Sequence, residues 1–153
     1  MTSTISERLA ALGVTLPQAA APAANYLPTA TTGNLLLTSG QLPLKDGAMI
    51  HKGLLGRDLT VDEGREAARL CAINVLAQAR TALGDIEKIK RIVKITVFVA
   101  STPDFVEQHL VANGASDFLA EALGERGKHA RSAVGTVSLP LNAPVEIEAI
   151  IEV

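Results

Sequence analysis

The last apolar stretch of the chain limits the fold most. Between Val145 and Val153, Val145, Ile147, Ala149 and Ile151 fall on one face of an extended strand. Glu146, Glu148, Ile150 and Glu152 fall on the other. The first set suits a core. The second is mixed rather than purely polar, although an antiparallel face open to water can also carry some apolar residues. A mixed face of this kind points to partial cover, and burial against another subunit is the natural one.

The remaining elements leave little else for that purpose. A helix is predicted from about Val61 to Leu83. Thr60 and Glu63 have capping-box spacing at its start, and Gly84 stops it. Ala68, Cys71, Ala72, Val75, Leu76 and Ala79 form one apolar stripe along it. Arg91 to Ala100 alternates as a strand. A second helix is predicted from a Thr102 cap, with Pro103 at its first position, to Leu123, with a break at Asn113-Gly114.

Tyr26 to Thr31 and Leu35 to Ser39 read as strands around a Thr32-Gly33-Asn34 turn. Gln41-Leu42-Pro43 ends the second of them. A weaker strand is expected near Met49 to Leu54 and a further one from Ala130 to Leu139. Ser6 to Leu12 reads as a short helix, and Pro17 to Pro22 as an Ala/Pro linker. The order predicts one α+β domain over residues 1–153, with a single sheet and both long helices on one face. Residues 1–22 form an N-terminal extension.

Charge narrows the function. Fourteen basic and 16 acidic residues give a net charge of −2, with no basic stripe. Nucleic-acid binding has little electrostatic support. With Tyr26, Phe98, Phe105 and Phe118 as the only aromatic residues, stacking platforms for single strands are also lacking. Cys71 is the single cysteine, so no internal disulfide forms, and its place on the apolar stripe marks a buried thiol rather than a nucleophile. No signal-peptide pattern and no membrane-length apolar run is seen, so the expected location is the cytoplasm.

No metal-ligand spacing, phosphate loop or nucleophile elbow occurs, so no metal or cofactor is expected. What remains is chemistry needing an anchor and one acid/base group. Arg131, in Lys128-His129-Ala130-Arg131-Ser132-Ala133, begins a strand and can grip a carboxylate with its planar fork. Glu146, on the partly buried last strand, can carry a raised pKa. A plainer reading competes. If 139–144 form a hairpin loop, Arg131 faces the neighbourhood of Glu152 and is a structural salt bridge, while Glu146 faces Val137.

At these residues the chain resembles the Rid (reactive intermediate deaminase, YjgF-like) family, also labelled L-PSP endoribonucleases. The resemblance rests on Tyr26, on the run Asn34 to Pro43 (NLLLTSGQLP), on Val93 to Val99, on Ala130-Arg131-Ser132, on Leu139-Pro140 and on Val145 to Ile150. It implies a chorismate-mutase-like fold, with three subunits whose sheets form a central barrel. It also implies hydrolysis of 2-aminoacrylate and related enamine/imine acids at clefts between subunits, with no cofactor.

By the same resemblance, Arg131 holds the substrate carboxylate and Glu146 positions water. Tyr26, Ser39, the Gly40 N–H, Asn113 and the Ala133 carbonyl line the pocket. Ala133 stands where the family commonly has Cys, and the segment Gly124 to His129 is longer than usual, as in a divergent branch. The expected partners are a small carboxylate metabolite and two further copies of the chain, with no nucleic acid and no membrane. A non-catalytic carboxylate-binding module is the alternative, and a ribonuclease is disfavoured.

Overall fold

The computed structural model describes residues 3–22 and 24–153. Its elements are α1 (Ile5–Ala11), β1 (Thr29–Thr32), β2 (Leu35–Thr38), β3 (Leu44–Lys45), β4 (Ala48–Met49), α2 (Val61–Leu83), β5 (Arg91–Ala100), α3 (Gln108–Leu123), β6 (Ala130–Thr136) and β7 (Val145–Glu152). Five strands form one mixed sheet in the order β1-β2-β7-β5-β6, and β3-β4 is a separate small ribbon.

α2 spans the predicted residues. Thr60 accepts from the Glu63 N–H while Glu63 returns a bond to the Thr60 N–H, and Gly84 closes the helix at φ 77°. α3 starts later than expected. Thr102 does not cap it; Pro103 to Glu107 form a loop, and the helix begins at Gln108. Nor does it break at Asn113-Gly114. Gly114 sits inside the helix, and it is a glycine because α2 lies so close that any Cβ would collide with the Arg65 carbonyl. The glycine there serves helix–helix contact, not a bend.

The largest correction concerns the last two strands. β6 and β7 are not a hairpin. β6 runs parallel to β5, with Arg131 beside Ile95, and β7 lies on the other side of β5, antiparallel to it and to β2. Glu152 therefore faces Arg91, whose Nε donates to it at 2.6 Å, and Glu146 pairs with Phe98 rather than Val137. Ten-residue β5 sits in the middle and outcompetes a local hairpin, because it can pair along both of its edges.

The alternation in β7 is as read. Val145, Ile147, Ala149 and Ile151 are buried with Ile95, Val97 and Val99 under α2 and α3. The other face carries Glu146, Glu148 and Ile150 beside Thr96 and Phe98, and among the described residues no helix packs over it. Cys71 is fully buried on α2 and donates to the Val145 carbonyl at 3.6 Å. Burial, followed by the nearby Glu146 charge, raises its pKa well above the usual thiol range. No described helix is long and apolar enough to cross a membrane.

The N-terminal segment is fixed along most of its length. Ile5 and Leu9 of α1 are buried in the main core. The Glu87 carboxylate accepts from the Ile5 and Ser6 N–H groups, at 3.0 and 2.9 Å. Further on, the Arg80 guanidinium donates to the Leu16 and Pro17 carbonyls, and the Gln78 amide to the Ala20 carbonyl. The expected linker is thus a strap held down by α2. Its alanines and prolines give no periodicity, so the sequence offered no sign of these backbone bonds.

Candidate functional site

The site residues fall into two groups. The first gathers where β2 ends. Ser39 and Gln41 spend their N–H groups on the Pro28 and Ile147 carbonyls. Gly40 lies between them, and among the described residues its N–H makes no such bond. Glu146, at the start of β7, packs directly on this turn: a Cβ on Gly40 would lie 2.7 Å from the Glu146 carboxyl carbon. The Ser39 hydroxyl donates to the Leu27 carbonyl at 2.7 Å, which fixes the chain beside Tyr26. Tyr26 is 51% exposed.

Glu146 is half-buried. Burial, and then the Glu148 charge on the same face, raises its pKa above the ordinary carboxyl value. Such a group exchanges protons nearer to neutrality than an exposed glutamate. Tyr26, Ser39 and Gly40 also line a cavity of about 450 Å³.

The second group lies on edge strand β6. Arg131 Nη1 donates to Asn113 Oδ1 at 2.9 Å and to the Ser116 hydroxyl oxygen at 3.1 Å, and Nη2 reaches the His109 carbonyl at 3.4 Å. Both Nη1 protons are used. The Nε proton and one Nη2 proton remain, and these form one edge of the fork. No ion pair among the described residues uses Arg131. Ala133 is two residues further along on the same face, half-buried against the core.

Sequence reasoning placed Asn113 in the site but missed that Ser116 and His129 also hold this arginine. Ser116 lies 2.9 Å from His129 Nε2, and His129 Nδ1 lies 2.6 Å from the Gly127 carbonyl. A carbonyl can only accept, so Nδ1 carries the proton. In the neutral ring Nε2 then accepts from Ser116, whose oxygen accepts from Arg131. The only signal was the spacing of Asn113 and Ser116, three apart on one helix face.

The two groups do not meet in one chain. Arg131 pairs with Ile95 and Glu146 with Phe98, an odd offset of three residues, so the side chains leave opposite faces of the sheet. Two strand spacings and three residues of rise separate their Cα atoms by about 14 Å.

The fold and these residues define the class, and comparison with known proteins agrees. The family model described as "YjgF/chorismate mutase-like, putative endoribonuclease" matches residues 6–152, and the chain belongs to this YjgF, or Rid, family. It is 50% identical to Protein TCP17 of Trypanosoma cruzi over 149 residues, covering 97% of this chain and 93% of that one. The structure resembles Atu1372 of Agrobacterium tumefaciens, a protein of unknown function, with TM-score 0.92 and 56% identity over 97% of this chain and 92% of that chain. It also resembles Escherichia coli TdcF with bound serine, with TM-score 0.64 and 27% identity over 89% of this chain and 94% of that chain.

Proposed function

We propose that this protein is a cofactor-free deaminase of small enamine/imine acids, acting in clefts between three copies of the chain. One observation carries the reading. A guanidinium with an open edge and a carboxyl group of raised pKa sit on opposite faces of one sheet, and each is incomplete alone. Docking the β6 edge of one copy on the uncovered face of the next brings Arg131 of the first toward Gly40 and Glu146 of the second. It also covers the half-apolar face.

The chemistry follows from these groups. Arg131 holds the substrate carboxylate with the Nε–Nη2 edge. The unpaired Gly40 N–H offers one more donor to it. An enamine acid such as 2-aminoacrylate tautomerises to its imine. Glu146, as carboxylate, takes a proton from water as the water oxygen bonds to the imine carbon, and the C=N electron pair moves to nitrogen. The protonated Glu146 then returns its proton to that nitrogen. The hydroxyl proton then passes by way of Glu146 to the amine nitrogen as the C–N bond breaks, and ammonia and a 2-oxo acid leave. General acid–base help of this kind is worth about 10²–10⁴-fold.

TdcF with bound serine offers a ligand with the same carboxylate handle. Binding without turnover is the second reading, favoured by the longer Gly124 to His129 segment that precedes Arg131. The separating assay is ammonia or 2-oxo acid release from freshly generated 2-aminoacrylate. Release by the wild type that is lost in Arg131→Ala supports the deaminase. Carboxylate binding without release supports the second reading.

A further inference from the structure

We infer that His129, held by the Gly124–Gly127 turn, is a positioning residue that fixes the Arg131 guanidinium so that its Nε–Nη2 edge is the one offered to a carboxylate. The inference rests on Arg131 as the anchor of the proposed site. It gives a role to the longer segment before β6, which no step of the proposed chemistry uses.

The constraint begins at Ser116. A guanidinium only donates, so the Ser116 oxygen must turn a lone pair to Arg131 Nη1, 3.1 Å away. Its hydroxyl hydrogen then needs an acceptor elsewhere. A serine inside a helix can drop that hydrogen onto the carbonyl one turn back in its own helix. His129 Nε2, 2.9 Å away, is the acceptor outside α3. It accepts only while Nε2 carries no proton.

The turn before His129 decides where the ring proton sits. In a neutral histidine either nitrogen can carry it, and the bond made by one nitrogen sets the state of the other. Nδ1 lies 2.6 Å from the Gly127 carbonyl, which holds the proton on Nδ1 and leaves Nε2 its lone pair.

That carbonyl is itself fixed. Gly127 is buried at the end of a single 3₁₀ turn, and any Cβ on it would collide with the Leu119 carbonyl of α3. Its backbone is not left-handed, so close approach alone requires the glycine. Arg126 ties the same turn to the segment leading into β5. Its Nη1 donates to the Glu87 and Ile89 carbonyls at 3.3 and 3.0 Å, and its Nη2 to the Glu87 carboxylate at 3.2 Å.

The bonds therefore run in one direction. His129 Nδ1–H donates to Gly127, the Ser116 hydroxyl to His129 Nε2, and Arg131 Nη1 to Ser116. With Asn113 on the other Nη1 proton, that end of the guanidinium is taken up, and the Nε–Nη2 edge is left to bind. No ion pair among the described residues uses His129, so it acts through this bond rather than through charge.

The test compares three variants by pyruvate calorimetry. His129→Gln carries an amide oxygen out to the reach of Nε2 and can still accept from Ser116. His129→Asn keeps an N–H near Nδ1 for Gly127 but does not reach Ser116. His129→Leu does neither. Binding is expected within about twofold of the wild type for His129→Gln, and about fivefold weaker for His129→Asn and His129→Leu. With 2-aminoacrylate the loss should appear in KM, with kcat changed less. Added to Ser116→Ala, His129→Leu should cost less than about a further twofold, because both act through one oxygen.

A merely structural histidine gives the reverse pattern: His129→Asn rescues, His129→Gln does not, and the loss multiplies with that of Ser116→Ala. That pattern, or binding unchanged in all three variants, overturns the inference. If the wild type binds no pyruvate, the anchor reading fails by itself, and nitrogen NMR of Arg131 decides the role of His129. Rotation of the Nη1 group about its bond to Cζ should be at least about threefold faster in His129→Leu than in the wild type or His129→Gln. Equal rates overturn the inference.

Discussion

Gly40 has no side chain because Glu146 occupies its place: a Cβ there would stand 2.8 Å from Glu146 Oε2. The backbone at Gly40 is not left-handed, so space alone requires the glycine. The atoms in the way are the far end of a flexible side chain, which can swing aside. Gly40→Ala should therefore cost under about 1.5 kcal/mol in denaturant unfolding. Its kcat/KM should fall at least tenfold, because the displaced carboxyl loses its position. A large stability loss with normal turnover would contradict this.

Glu146→Gln should bind carboxylate ligands as the wild type does and lose about 10²–10⁴-fold in kcat. It should also be more stable at pH 7. Folding raises this group's pKa, so the ionised form is disfavoured in the native state. Its penalty grows as pH rises through the unfolded carboxyl pKa of about 4.5 toward the folded value, and fades below that window. The melting-temperature difference between Gln and Glu should therefore be positive at pH 7 and shrink on acidification.

Ser116→Ala removes one of the bonds that aim Arg131. It should raise KM roughly tenfold, about 1.4 kcal/mol, with a smaller change in kcat. Arg131→Lys keeps the charge but loses the planar edge, and carboxylate binding should weaken more. Titration calorimetry with a 2-oxo acid reads both effects. Binding unchanged in Arg131→Lys would remove the anchoring role.

Glu87 ties α1 to the body of the protein. Burial alone would raise its pKa, but bonds from the Ser6 and Ile5 N–H groups, the Ser6 hydroxyl and Arg126 together pull it below the ordinary value. Its stabilisation is present above pH of about 4.5 and is lost as pH falls through the depressed folded pKa. Glu87→Ala should cost about 2 kcal/mol at pH 7. Hydrogen exchange should quicken first in residues 5–11. Uniform protection there would contradict the tie.

Much of this architecture was legible because it is local. α2 and β5 carry their own periodicity, cap and stop, and both lie where the pattern put them. The alternation of β7 exposed the uncovered face. What failed was non-local. Nothing between Leu139 and Val145 announces that β6 and β7 part to flank β5. Nor does Thr102-Pro103 reveal that its helix start is displaced to Gln108. The Ser116–His129 support of Arg131 joins a helix to a loop 13 residues away, and the strap is held through backbone carbonyls that any sequence has.

The central claim is that Arg131 and Glu146 act from different copies of the chain. Sedimentation should first give a mass about three times the 16.0 kDa chain. The direct test is to mix Arg131→Ala with Glu146→Gln, each inactive alone, by joint refolding, and to measure 2-oxo acid release. Random mixing in a closed ring leaves about a quarter of the sites with both groups intact, so about a quarter of wild-type activity should return. Mixed assemblies with no recovered activity would contradict the account.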